Sequence, residues 1–142
     1  MMTTTIDFKG YEQRIKAAGE TLAEERIAVN ELRAEHAAAL GRLEALRGEL
    51  AAVDGIIREY GDSDETEITP KQFEEALIQQ RVLAPQLRRA QAEQKRASAA
   101  WQDADRQTTH HAQARRRGIL ADFDREANRV RDEYGAILQK QL

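Results

Sequence analysis

Between Tyr11 and Tyr60, steps of four and three residues land on Tyr11, Ile15, Ala18, Leu22, Glu25, Val29, Leu32, His36, Ala39, Leu43, Leu46, Leu50, Val53, Ile57 and Tyr60. Only Glu25 and His36 interrupt the apolar row. A period of about 3.5 residues held for this long keeps one stripe of a helix turned toward another helix, whereas a strand needs strict alternation. The row therefore predicts an all-α chain built on a coiled-coil seam. A polar residue at an occasional seam position fixes register at some cost in stability, and Glu25 and His36 are placed for that role.

The first helix is expected over residues 7–60, with Gly61 taking the left-handed conformation that closes a helix. The acidic turn 61–68 follows. Thr69 as N-cap, Pro70 at the first helical position and Gln72 completing a capping box then open a second helix, with Ile68 and Phe73 spaced as a hydrophobic staple. Its seam runs through Phe73, Ala76, Gln80, Leu83, Leu87, Ala90, Gln94, Ala97, Trp101, Ala104, Thr108 and His111. Pro85 lies off that row and predicts a kink, not an end. The period loses phase before Gly118 and resumes at Leu120, Phe123, Ala127, Val130, Tyr134 and Ile137. The expected architecture is a long antiparallel two-helix coiled-coil hairpin over residues 1–117 (helix 7–60, turn 61–68, helix 69–117), with a shorter C-terminal amphipathic helix over 118–142.

A short turn between two long helices makes them antiparallel neighbours, and a turn centred near residue 65 pairs positions whose numbers add to about 130. Ile57 then meets Phe73, Val53 meets Leu77, Leu43 meets Leu87, Val29 meets Trp101, and the polar His36 meets the polar Gln94. Arg81 with Glu49, Arg88 with Glu44 and Lys95 with Glu35 are the matching flanking charges. This register leaves Ile119 to Leu142 without a partner in the hairpin.

A second row, Ala34, Ala38, Gly41, Ala45, Gly48, Ala52 and Gly55, lies on the far side of the first helix. Glycine in a solvated helix costs about 1 kcal/mol relative to alanine, whereas a row of small residues lets another helix approach closely. This row and the tail residues Leu120, Phe123, Val130, Tyr134 and Ile137 are the candidate protein-interface residues, the tail offering anchors for a helix-in-groove contact.

The chemistry the chain can host is narrow. It has no cysteine, so disulfides and thiolate metal sites are excluded. His110 and His111 are adjacent and point to different helix faces, not at the spacing of a helical metal pair. No glycine-rich phosphate loop follows a strand, and the carboxylates are solvated and interleaved with arginine and lysine. No catalytic, cofactor, metal or small-molecule site is expected. No run of about 20 apolar residues could span a bilayer, and the N-terminus lacks a basic segment followed by an apolar one, so a cytoplasmic protein without a signal peptide is expected, or one incorporated in a virion or secretion assembly. Residues 1–67 hold 8 basic and 15 acidic side chains, while residues 81–117 hold 9 basic and 3 acidic. The net charge of −3 argues against dedicated nucleic-acid binding, although Arg115, Arg116 and Arg117 form the one strip that could contact phosphate.

The long first helix, the polar turn, the Gln72–Phe73 pair opening helix two and Trp101 about 29 residues further on resemble the layout of flagellar and type III export stalk proteins over residues 10–117. That resemblance implies an antiparallel coiled-coil hairpin acting as a stalk. Small all-helical assembly proteins of phages share the same general style. The sequence thus points to a non-enzymatic interaction protein, an adaptor, stalk or assembly component working through helix–helix contacts with a protein partner or a second copy. The alternative is a nucleic-acid-associated protein using the Arg115–Arg117 segment.

Overall fold

A computed structural model describes residues 5–62 and 64–141. Residues 1–4, Ser63 of the acidic turn and Leu142 lie outside the described residues. Two helices account for nearly all of the rest, α1 over Phe8–Asp62 and α2 over Pro70–Gln141, and they pack against each other as a helical hairpin. By contact density the chain divides into two units, residues 30–103 and residues 1–29 with 104–142.

Local chemistry sets the helix ends. At the start of α1 the Gly10 amide donates to Asp7 Oδ1 at 3.0 Å. A Cβ at Gly10 would collide with that carboxylate, so glycine permits the close cap. The capping box of α2 is complete: Gln72 N–H donates to Thr69 Oγ1 at 3.2 Å, and Thr69 N–H donates to Gln72 Oε1 at 3.0 Å. Gly61 does not close α1. No described glycine has positive φ, and the helix continues through Gly61 to Asp62.

In the unit of residues 30–103 the helices run in opposite directions. Tyr60 stacks on Phe73 with ring centroids 4.3 Å apart, Gln80 Nε2 donates to Asp54 Oδ1 at 2.9 Å, Arg42 meets Glu93 at 2.7 Å, and Gln94 Nε2 donates to His36 Nε2 at 3.1 Å. The core is thin. Val53, Ala76 and Leu83 cluster with Leu46, Leu50, Ile56 and Ile57, and Ala39, Leu43 and Ala90 are buried beyond them. All but Ile56 are expected seam positions. Three details differ from the sequence reading. Phe73 takes Tyr60 as its aromatic partner, Ala76 instead of Leu77 is the buried residue near Val53, and Arg42–Glu93 replaces the three expected flanking charge pairs. The cause is register. His36–Gln94 fits a sum of about 130, but the other three contacts sit three to five residues later on α2.

The second unit follows the same logic with larger consequences. Phe123 packs edge-on against Tyr11 at 5.4 Å and lies 6.2 Å from Phe8, Arg14 pairs with Asp122 at 2.9 Å, and Arg115 pairs with Glu25 at 2.7 Å. The expected separate C-terminal helix is not found. α2 passes without a break through both Pro85 and Gly118 to Gln141, and its residues up to Glu126 are used against the start of α1. The break in period that suggested a new helix is instead a change of spacing. Half-buried positions fall at Ala104, Thr108, Ala112, Arg115, Ile119, Asp122, Glu126 and Val130, so an extra step of four replaces His111 with Ala112. Such an eleven-residue spacing keeps a straighter helix in contact with its neighbour.

Two substitutions test this packing by urea denaturation. Leu43, 3% exposed, is expected to cost about 2–5 kcal/mol as Leu43→Ala. Gly48→Ala, where a Cβ meets nothing within 4 Å, is expected to gain about 1 kcal/mol.

Candidate interaction surfaces

The polar breaks in the seam are each answered from α2. His36 is held between Gln94 and Trp101, whose ring stacks on the imidazole at 5.4 Å and 23°, and Arg33 lies over the other aromatic contact at 5.9 Å from the Trp101 centroid. Glu25 is held by Arg115, whose Nη2 approaches its carboxylate at 2.7 Å with both side chains about three-quarters buried. Arg115 Nε and Nη2 find no aligned hydrogen-bond acceptor, so the contact is an ion pair more than a directed bond. Arg115 is therefore a seam residue. Of the expected basic strip only Arg116 and Arg117 are exposed.

A further polar contact lies close to the start of α1. The Tyr11 hydroxyl donates to Glu126 Oε2 at 2.6 Å. That bond, aided by desolvation and by the negative charges of Glu126 and Asp122, raises the phenol above its ordinary value near 10, with Arg14 acting in the opposite direction. The neutral phenol is the form the fold favours, so this contact contributes stability below pH about 10 and loses it as the pH rises through the folded value.

The expected interface residues fall into three groups. Ala34, Ala38, Gly41, Ala45, Gly48, Ala52 and Gly55 are all exposed. Ala38 lines a groove with Ala97 and Ala100, and Ala52 lines another with Ile56, Ile78 and Val82, while a Cβ at Gly41, Gly48 or Gly55 would meet nothing within 4 Å. Phe123 is not free, because it is packed against Phe8 and Tyr11, and Val130 is half-buried. Leu120, Tyr134 and Ile137 are exposed, at 52%, 59% and 44%.

The sequence reading missed the apolar walls of these grooves. Ile78 is 59% exposed and Val82 52% exposed, and in the other unit Ile15, a seam residue by period, is 61% exposed and lines a groove with Ala18, Leu22, Ile119 and Leu120. The signal for Ile78 and Val82 was present as two β-branched residues four apart and off the heptad row. Ile15 carried none, since by period it is a seam residue.

Among the described residues there is no group of three or more histidine or acidic side chains able to hold a metal, and no helix is long and apolar enough to cross a membrane. Compared with known proteins, the chain matches no family model, no curated protein and no solved structure. The stalk-protein resemblance is thus one of layout alone.

Two titrations probe these contacts. In a phenolate absorbance titration, Tyr11→Phe is expected to remove a component that ionises above pH 10, and Glu126→Gln to move it to lower pH. For the seam pair, Glu25→Leu alone is expected to destabilise by about 1–3 kcal/mol, because it strands the Arg115 guanidinium, whereas the Glu25→Leu, Arg115→Leu double variant recovers most of that loss in chemical denaturation.

Proposed function

We propose that the chain is a non-enzymatic coiled-coil interaction protein, an adaptor, stalk or assembly component that acts by presenting helical surfaces to a protein partner or a second copy. One observation carries this reading: large apolar side chains are left exposed in patches. Ile78 and Val82 form one patch, Ile15 and Leu120 a second, and Tyr134, Ile137 and Leu138 a third along the last turns of α2. Single exposed hydrophobics need no explanation, but patches rimmed by charge mark contact surfaces on a protein. The hairpin buries its own seam first, which leaves these patches available without unfolding.

The nucleic-acid alternative is weakened, because one of its three arginines, Arg115, is neutralised by Glu25.

The test is capture from an extract of the source organism on immobilised full-length chain, with light scattering of the parent alongside. The parent is expected to self-associate or to retain a defined protein. A Val82→Asp, Leu120→Asp, Ile137→Asp triple variant is expected to keep its helical circular dichroism and lose binding by at least about tenfold, or 1.4 kcal/mol. A parent that is strictly monomeric and captures nothing would sink the reading.

A further inference from the structure

The reading above leaves the occupant of each patch open, and for one of them the residues go further. We infer that, within residues 30–103, the face bearing Ala38, Ala45, Ala52 and Val82 packs on the same face of a second copy of this chain, about a two-fold axis parallel to the helices. The inference rests on the interaction-protein reading and names its partner.

On α1, the stripe next to the seam is Glu35, Ala38, Arg42, Ala45, Glu49 and Ala52, followed by Ile56. Its steps alternate three and four, so it keeps its own 3.5-residue period beside that of the seam. On α2, the stripe on the same side is Val82, Gln86, Arg89, Glu93, Arg96 and Ala100, preceded by Ile78. Two grooves place these stripes on one face: Ala52, Glu49 and Ile56 with Ile78, Val82 and Gln86, and Ala38, Glu35 and Arg42 with Glu93, Arg96 and Ala100. The Arg42–Glu93 bond at 2.7 Å fixes their relative level. A two-helix unit with a second heptad stripe on each helix, both on one side, is half of a four-helix bundle.

Size and charge select the occupant. An axis parallel to the helices lays α1 of each copy against α2 of the other at the same level. Ala52 then faces the second copy's Val82, and Ile56 its Ile78, so small residues meet large ones at one position and apolar residues meet at the next. Glu35 and Glu49 on α1, and Arg89 and Arg96 on α2, form no ion pair among the described residues of their own chain. The same arrangement brings Glu49 within about one helical turn of the second copy's Arg89, and Glu35 within about one turn of its Arg96. From Glu35 to Ile56 the face is about 32 Å long and two helices, about 20 Å, wide. Its footprint, on the order of 650 Å² per copy, approaches the roughly 800 Å² per partner of a stable interface.

The chain has no cysteine, which makes disulfide trapping clean. Separately purified Ala52→Cys and Val82→Cys variants, mixed and oxidised, are expected to give a crosslinked heterodimer well in excess of either homodimer, and sedimentation equilibrium of the parent to give twice the 16.1 kDa chain mass. Arg89→Glu with Arg96→Glu is expected to weaken the dimer at least tenfold while helicity is kept, and adding Glu35→Arg with Glu49→Arg to restore it. A monomeric parent overturns the inference, and so does a dimer in which the mixed pair does not crosslink. A monomer that still captures a different protein overturns the inference alone and leaves the interaction-protein reading standing.

Discussion

Everything in this hairpin depends on matching one narrow stripe of α1 to one narrow stripe of α2. No described polar side chain is buried in the core, and its fully buried members are alanine, valine and leucine, so each layer contributes only a modest hydrophobic gain. Many such layers in register are needed, and a slip by one turn would mismatch the polar ones. His36 with Gln94 and Trp101, and Glu25 with Arg115, penalise that slip, because a shifted register strands a half-buried imidazole, carboxylate or guanidinium. The apolar layers supply stability and the polar layers supply uniqueness.

That division has a consequence for the rest of the surface. Because a two-helix seam buries only one stripe per helix, a chain of this composition must place its remaining apolar residues outside. Their grouping is therefore informative. Ile78 and Val82 sit where α2 presents a second stripe beside alanines of α1, whereas Tyr134, Ile137 and Leu138 occupy the end of α2. Glycines 41, 48 and 55 lie further round α1 than the alanines that line the grooves, since each successive residue turns the helix by about 100°.

The seam of α1 was legible in the sequence almost residue for residue, because a 3.5-residue period is a direct image of helix packing. Ile15 is its one exposed member. The capping box at Thr69 was equally legible, being a local pattern with a local cause. What escaped was the continuity of α2 beyond the break in its period. The loss of period before Gly118 suggested a third helix where α2 continues, and so set Phe123 apart from Phe8 and Tyr11. The change of spacing there also hid the role of Arg115, which reads as surface charge until α2 is followed far enough to bring it to Glu25. Of the interface candidates, the small residues of α1 were correctly placed outside the seam. The large residues beside them were missed because they belong to the other helix.

The central claim is that α1 and α2 close their seam within one chain in the register marked by Asp54–Gln80 and Arg42–Glu93. Spin labels at positions 47 and 88, on chains diluted with excess unlabelled protein, measure this directly by dipolar spectroscopy. Adjacent antiparallel helices predict a narrow distance distribution at about 10–20 Å, and a pair at positions 47 and 71, displaced by about 25 Å along the helix axis, a clearly longer one. A broad or long distance for the 47/88 pair in diluted samples would contradict the intramolecular seam.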